Sequence, residues 1–139
     1  MTHPPWEEIE HTADWALRVR GEDLRELFEN AARGMAWLAG GEATPGAGAV
    51  PKLIYLDLDA PDYETLLVDW LTELLYWMED ADLVLTRIRV ERVEELKLEA
   101  EVEGIPGAAF SKHIKAATYH GLNIRQSEDG WEATVVFDV

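Results

Sequence analysis

Val84-Leu85-Thr86-Arg87-Ile88-Arg89-Val90, followed shortly by Leu96-Lys97-Leu98-Glu99-Ala100-Glu101-Val102-Glu103, is the stretch whose pattern decides the fold. Val84, Thr86, Ile88 and Val90 stand at every second position, as do Leu96, Leu98, Ala100 and Val102, while Glu95, Lys97, Glu99, Glu101 and Glu103 take the places between. Side chains on a strand alternate between faces, so the pattern predicts an antiparallel hairpin with one face on a core and one in water.

Upstream, Trp6 to Arg20 reads as extended, with Trp15, Leu17 and Val19 alternating against Ala16 and Arg18 before Gly21. Leu24, Leu27, Phe28, Ala31, Met35 and Leu38 then recur at helical spacing, opened by Asp23 and stopped by Gly40-Gly41. Gly41 to Pro51 reads as a flexible connection. Lys52 to Asp59 is a strand with Ile54, Leu56 and Leu58 inward, and Pro61-Asp62 opens a second helix whose stripe is Leu67, Trp70, Leu71, Leu74 and Met78. Past the hairpin, Ile105-Pro106-Gly107 starts a loop. Ile114 to Arg125, a Glu128-Asp129-Gly130 turn and Trp131 to Val139 then form a second hairpin with Trp131, Ala133, Val135 and Phe137 inward. This order implies a single α+β domain over 1–139, two helices packed on a mixed, mostly antiparallel sheet. The recurring strand-helix arrangement leaves room for an internally duplicated strand-helix-strand-strand module.

At 139 residues and 47% hydrophobic, the chain carries enough apolar material for one folded core. Asp and Glu outnumber Lys and Arg by 28 to 12, a net charge of −16 that repels phosphate backbones and disfavours direct nucleic-acid binding. The same field attracts divalent cations and steers the chain toward a basic partner. Without cysteine there is no disulfide framework, thiolate zinc site or catalytic thiol. The start lacks a secretory pattern, and Leu66 to Met78, interrupted by Asp69 and Glu73, falls short of the roughly 20 apolar residues that span a bilayer. A cytoplasmic protein is expected.

No phosphate-binding glycine loop and no His-Glu-x-x-His helix occur, and Ser111 and Ser127, the only serines, lie outside any nucleophile elbow. Four clusters remain. Glu10-His11-Thr12-Ala13-Asp14 joins an imidazole and a carboxylate between two extended stretches, a pattern that serves a ligand or, more commonly, the bonding of a turn. Lys115-Ala116-Ala117-Thr118-Tyr119-His120 reads as a strand with Lys115, Ala117 and Tyr119 on one face and Thr118 and His120 on the other, which by itself describes a sheet edge. At Phe137-Asp138-Val139 a side-chain and a terminal carboxylate lie together, a pairing suited to a hard cation, although such a tail frays unless tied down. Asp69 and Glu73, one turn apart, read as a solvated helix face.

Taken in order, these segments resemble the archease family. Glu10 to Asp14 is similar to its Glu-His-Thr-Ala-Asp stretch, and Leu24 to Ala32 to its Leu-x-Glu-Leu-Phe-x-Asn-Ala-Ala helix. Leu66 to Leu75, Lys115 to His120 and Phe137 to Val139 resemble three further motifs, so the likeness spans nearly the whole chain. Trp15, where a small aliphatic residue is commoner, and the Gly41 to Pro51 loop depart from the pattern. The resemblance implies an archease-like fold and a protein cofactor rather than an enzyme. Its partner would be a tRNA-splicing RNA ligase of the RtcB type, whose GTP-dependent guanylylation and repeated turnover it promotes. It further implies a divalent metal held by Asp14, Asp138 and the terminal carboxylate of Val139, with Lys115 as a nearby functional cation, His11 as a structural neighbour and His120 as a further candidate. Ca²⁺ is the ion expected in crystals, with Mn²⁺ or Mg²⁺ as candidates for the working metal. Two rivals belong to other classes: a general chaperone or scaffold for RNA-processing proteins, and a small metal-dependent phosphohydrolase using Asp14 and Asp138.

Overall fold

The computed structural model describes residues 4–9, 15–43 and 50–139. Both helices start where a carboxylate waits for an unpaired backbone N–H. Asp23 accepts from the Glu26 N–H at 2.7 Å and opens α1 (Leu24–Ala39), and Asp62 accepts from the Thr65 N–H at 2.7 Å and opens α2 (Tyr63–Asp80). Gly40 closes α1 in the left-handed region at φ 62°, where a side chain would be strained.

Ten strands accompany them among the described residues: β1 (Trp6–Ile9), β2 (Trp15–Gly21), β3 (Glu42–Ala43), β4 (Lys52–Asp59), β5 (Leu83–Glu94), β6 (Lys97–Pro106), β7 (Ala108–Ala109), β8 (Ala116–Thr118), β9 (Arg125–Ser127) and β10 (Gly130–Asp138). One sheet runs β1-β2-β10, with β8 and β9 sharing the far edge of β10; a second runs β4-β6-β5; β3 and β7 form a small pair. Every described pairing is antiparallel. In the second sheet the chain goes strand, helix, strand, strand, with the last strand central. The series β2, α1, β8 with β9, and β10 repeats that order around the whole second unit.

One apolar cluster joins the elements: Leu17, Val19, Phe28 and Met35 meet Trp70, Leu71, Val90, Leu98, Val135 and Phe137. The Trp70 indole donates to the Phe28 carbonyl at 2.9 Å, so the largest core side chain also pins α2 to α1.

The structure departs from the sequence pattern in several places. Bulges between Leu85 and Arg87 and between Val90 and Arg92 shift the phase of β5, so Leu83, Leu85, Ile88, Val90 and Val93 face the core and Thr86 is exposed. Leu96 does not belong to the inward set: Glu95 and Leu96, at φ 53° and 62°, form the hairpin turn itself. The expected loops around residue 42 and residue 108 pair as β3 and β7. Ile114 to Arg125 is not one strand but β8 and β9, separated by a turn in which Leu122 N–H bonds Tyr119 C=O and Gly121 takes φ 63°.

Candidate functional site

β10 occupies the middle of the first sheet, and its end carries the candidate carboxylates. Phe137 pairs with Trp15 of β2 on one side and Ala117 of β8 on the other, and its ring is fully buried. Burying a phenyl ring stabilises this register by about 2 kcal/mol. Asp138 pairs with Ala116, and its carbonyl accepts the Lys115 N–H at 2.7 Å. The chain end is therefore docked, and the frayed tail expected of an isolated terminus is overturned. Strand alternation then carries the Asp138 side chain into solvent, where it makes no ion pair among the described residues, and Val139 follows it, also exposed.

Lys115 precedes β8 and is exposed, while Ala117 is buried; the two do not share a face as alternation predicted, because the strand begins only at Ala116. Lys115 lines a groove of about 250 Å³ with Tyr76, Glu79 and Ile114. His120 sits in the turn after β8, where its N–H bonds the Thr118 hydroxyl at 3.3 Å while that hydroxyl donates to the Val136 carbonyl at 3.0 Å. His11 and Asp14, with the whole Glu10 to Asp14 motif, lie outside the described residues. Asp69 and Glu73, read as a solvated helix face, are half-buried on α2.

Two neighbours were not singled out from sequence. The Lys112 ammonium sits on the face of Trp15, at the start of β2 beside Phe137. His113 Nδ1 lies 3.0 Å from Glu79 Oε2, tying the segment before β8 to the end of α2. The indole at position 15, unusual for its place, was the available signal for the first; nothing in the spacing announces the second. Another groove, about 400 Å³ among Arg20, Glu22, Asn30, Trp131 and Glu132, lies at the opposite end of β10, where Arg20 is already paired with Glu7 and Glu132.

The donors present are all carboxylate oxygens, which suit hard cations rather than zinc or copper. Among the described residues no three His, Asp or Glu side chains stand close enough to hold a metal.

The family model that matches this chain is the Archease protein family (MTH1598/TM1083), over residues 6–139. The chain is 36% identical to protein archease of Methanosarcina acetivorans across 96% of its own length and 95% of that protein's, and 34% identical to protein archease of Archaeoglobus fulgidus across 94% and 96%. Its fold matches the solution structure of Methanobacterium thermoautotrophicum protein 1598 with a TM-score of 0.69 at 25% identity, covering 97% of this chain and 99% of that one. It also matches the crystal structure of "an archease, possible chaperone" from Thermotoga maritima, with a TM-score of 0.65 at 25% identity, covering 100% and 98%.

Proposed function

This chain belongs to the archease family, and from that premise we propose that it is a non-catalytic helper protein that activates an RtcB-type RNA ligase, promoting guanylylation and multiple turnover through a divalent-metal tip. The observation that carries the proposal is the docked end of β10, which fixes Asp138 at the close of a central strand instead of leaving it on a loose tail. Asp138 and the Val139 α-carboxylate would hold the ion together with Asp14, which immediately precedes Trp15, the partner of Phe137. The bound ion would supply positive charge at an otherwise acidic tip. The chain's own residues position it: Phe137 anchors the strand, the Lys115 N–H fixes the Asp138 carbonyl, and the exposed Lys115 side chain would stand nearby as a cation.

With 28 acidic residues against 12 basic ones, the protein has a charge suited to docking beside a basic RNA-binding cleft without competing for the RNA. A cytoplasmic location accords with that role, and no described helix is long and apolar enough to cross a membrane. The chaperone description of the Thermotoga maritima protein gives a second reading, a holdase for RNA-processing proteins, which needs no metal.

The test measures guanylylation and repeated ligation by the ligase of the same organism with wild type, with Asp138→Ala, and with a chain extended past Val139. Titration of Mn²⁺ and Ca²⁺ into each helper alone accompanies it. Wild type is expected to stimulate turnover. Asp138→Ala and the extended chain should keep wild-type unfolding curves yet lose at least about tenfold in both metal affinity and stimulation, the scale seen when metal ligation is disturbed. Full stimulation by Asp138→Ala discards the metal tip; no stimulation by wild type discards the activator role in favour of the chaperone.

A further inference from the structure

The sheet β4-β6-β5 has two edges, and the molecule treats them differently. In the middle of β5 the outward groups of Ile88 and Val90 are met by α1: Arg33 donates to Ile88 C=O at 3.4 Å, Arg25 to Val90 C=O at 3.1 Å, and Glu29 accepts from Val90 N–H at 3.1 Å. The other described edges are short, β8 and β9 having three residues each, and β1, four residues long, follows Pro4-Pro5. Eight-residue β4 is left open, pairing only with β6 among the described residues.

The register identifies which groups of β4 are unused. Val90 turns both N–H and C=O away from β6, so its partner Ala100 turns its own toward β4, where it faces Leu56. Ile54, Leu56 and Leu58 therefore bond β6, and Leu53, Tyr55, Asp57 and Asp59 present N–H and C=O to the free edge. Ala60 N–H bonding Leu96 C=O, in the same phase as Leu58, agrees. Those four residues also carry the exposed side chains. Tyr55 is 71% exposed and Leu53 46%, while Asp57 and Asp59 make no ion pair among the described residues. Lys52, the cation that would blunt such an edge, is instead turned 4.5 Å above the Trp77 ring of α2.

We propose that β4 is a docking edge that accepts an extended, basic segment of a partner protein as an added strand, with its alternate Lys or Arg side chains beside Asp57 and Asp59 and its apolar ones beside Leu56 and Leu58. Main-chain bonds supply affinity and the alternating side chains supply selectivity. The carboxylates choose the occupant: they repel an acidic strand, including that of a second copy, each copy carrying −16, and attract a basic one. The edge is separate from the end of β10 and does not depend on metal binding there.

The probe is a capped octapeptide alternating lysine with valine, titrated into the full chain and followed by amide hydrogen exchange, with a glutamate-valine peptide as control and sedimentation of the protein alone. The lysine peptide is expected to slow exchange at Leu53, Tyr55, Asp57 and Asp59 at least tenfold, leaving Ile54, Leu56 and Leu58 unchanged, and to bind at least tenfold tighter than the glutamate peptide. The doubly exposed Asp57→Asn/Asp59→Asn variant should lose about tenfold in lysine-peptide affinity with an unaltered unfolding midpoint. Protection absent from β4, or equal binding of the two peptides, overturns the proposal. A dimer of the protein alone that Tyr55→Lys dissolves overturns it too, because the occupant is then a second copy.

Discussion

Asp62 is the residue at which a single hydrogen bond becomes a measurable pH dependence. The Thr65 N–H, and secondarily the Thr65 side chain, hold its carboxyl below the ordinary carboxylate range, because both bonds favour the ionised form. A group whose pKa falls on folding stabilises the native state at pH above its unfolded value, about 4, and loses that contribution as pH drops through the lower folded value. Asp62→Asn keeps a capping oxygen and removes the titration. Urea melts from pH 7 to pH 2 should thus find the wild type losing stability more steeply than the variant below about pH 4. Parallel curves would mean that Asp62 does not contribute to acid unfolding. The same chemistry made Asp23 and Asp62 readable as helix starts, since a cap depends on residue type and local spacing alone. Glu29 was not readable. On paper it is one more helix carboxylate between Arg25 and Arg33, whereas in the fold it is buried, within 2.9 Å of Arg25 and 2.6 Å of Arg33.

At the level of elements, that glutamate joins α1 to the edge of β5. Removing its carboxylate leaves the Val90 N–H unpaired in a buried setting and frees two arginines from their shared partner. Both arginines are partly solvated and recover water, so Glu29→Ala should cost about 2 kcal/mol, less than a fully buried pair, as read from the urea midpoint. It should also expose the β5 edge and raise aggregation during refolding; a loss under about 0.5 kcal/mol would mean that packing alone seals that edge. Element existence was legible where pattern and punctuation agreed, as in α1 between Asp23 and Gly40 or in β4 and β6. In β5 the strand was legible but its facing was not, because bulges insert residues that period-two counting cannot anticipate, and in the Ile114 to Arg125 segment a turn at Gly121 splits one apparent strand into two. The candidate site was legible only through the ordered motifs. Composition favoured a frayed tail, and what prevents fraying is the burial of Phe137 between two strands distant in sequence.

Across the whole molecule the two strand-helix-strand-strand units are nested, so β10 pairs with β2 only after the chain has passed through the entire second unit. The tip at Asp138 is consequently assembled from the two extremes of the first unit, and its geometry depends on both sheets sharing one core. Wrapped around that core is a net charge of −16. A field of that sign accelerates encounter with a basic protein over separations comparable to the Debye length, about 10 Å at 0.1 M salt and about 3 Å at 1 M. If the proposed ligase docks through this field, its association rate constant with the helper should fall about tenfold between 50 and 500 mM NaCl, while the dissociation rate changes little. Stopped-flow fluorescence using the protein's tryptophans would measure both. A rate constant changing less than about twofold would place recognition in uncharged contacts, and Tyr55, Leu53 and the Trp15–Lys112 pair would then be the surfaces to examine next.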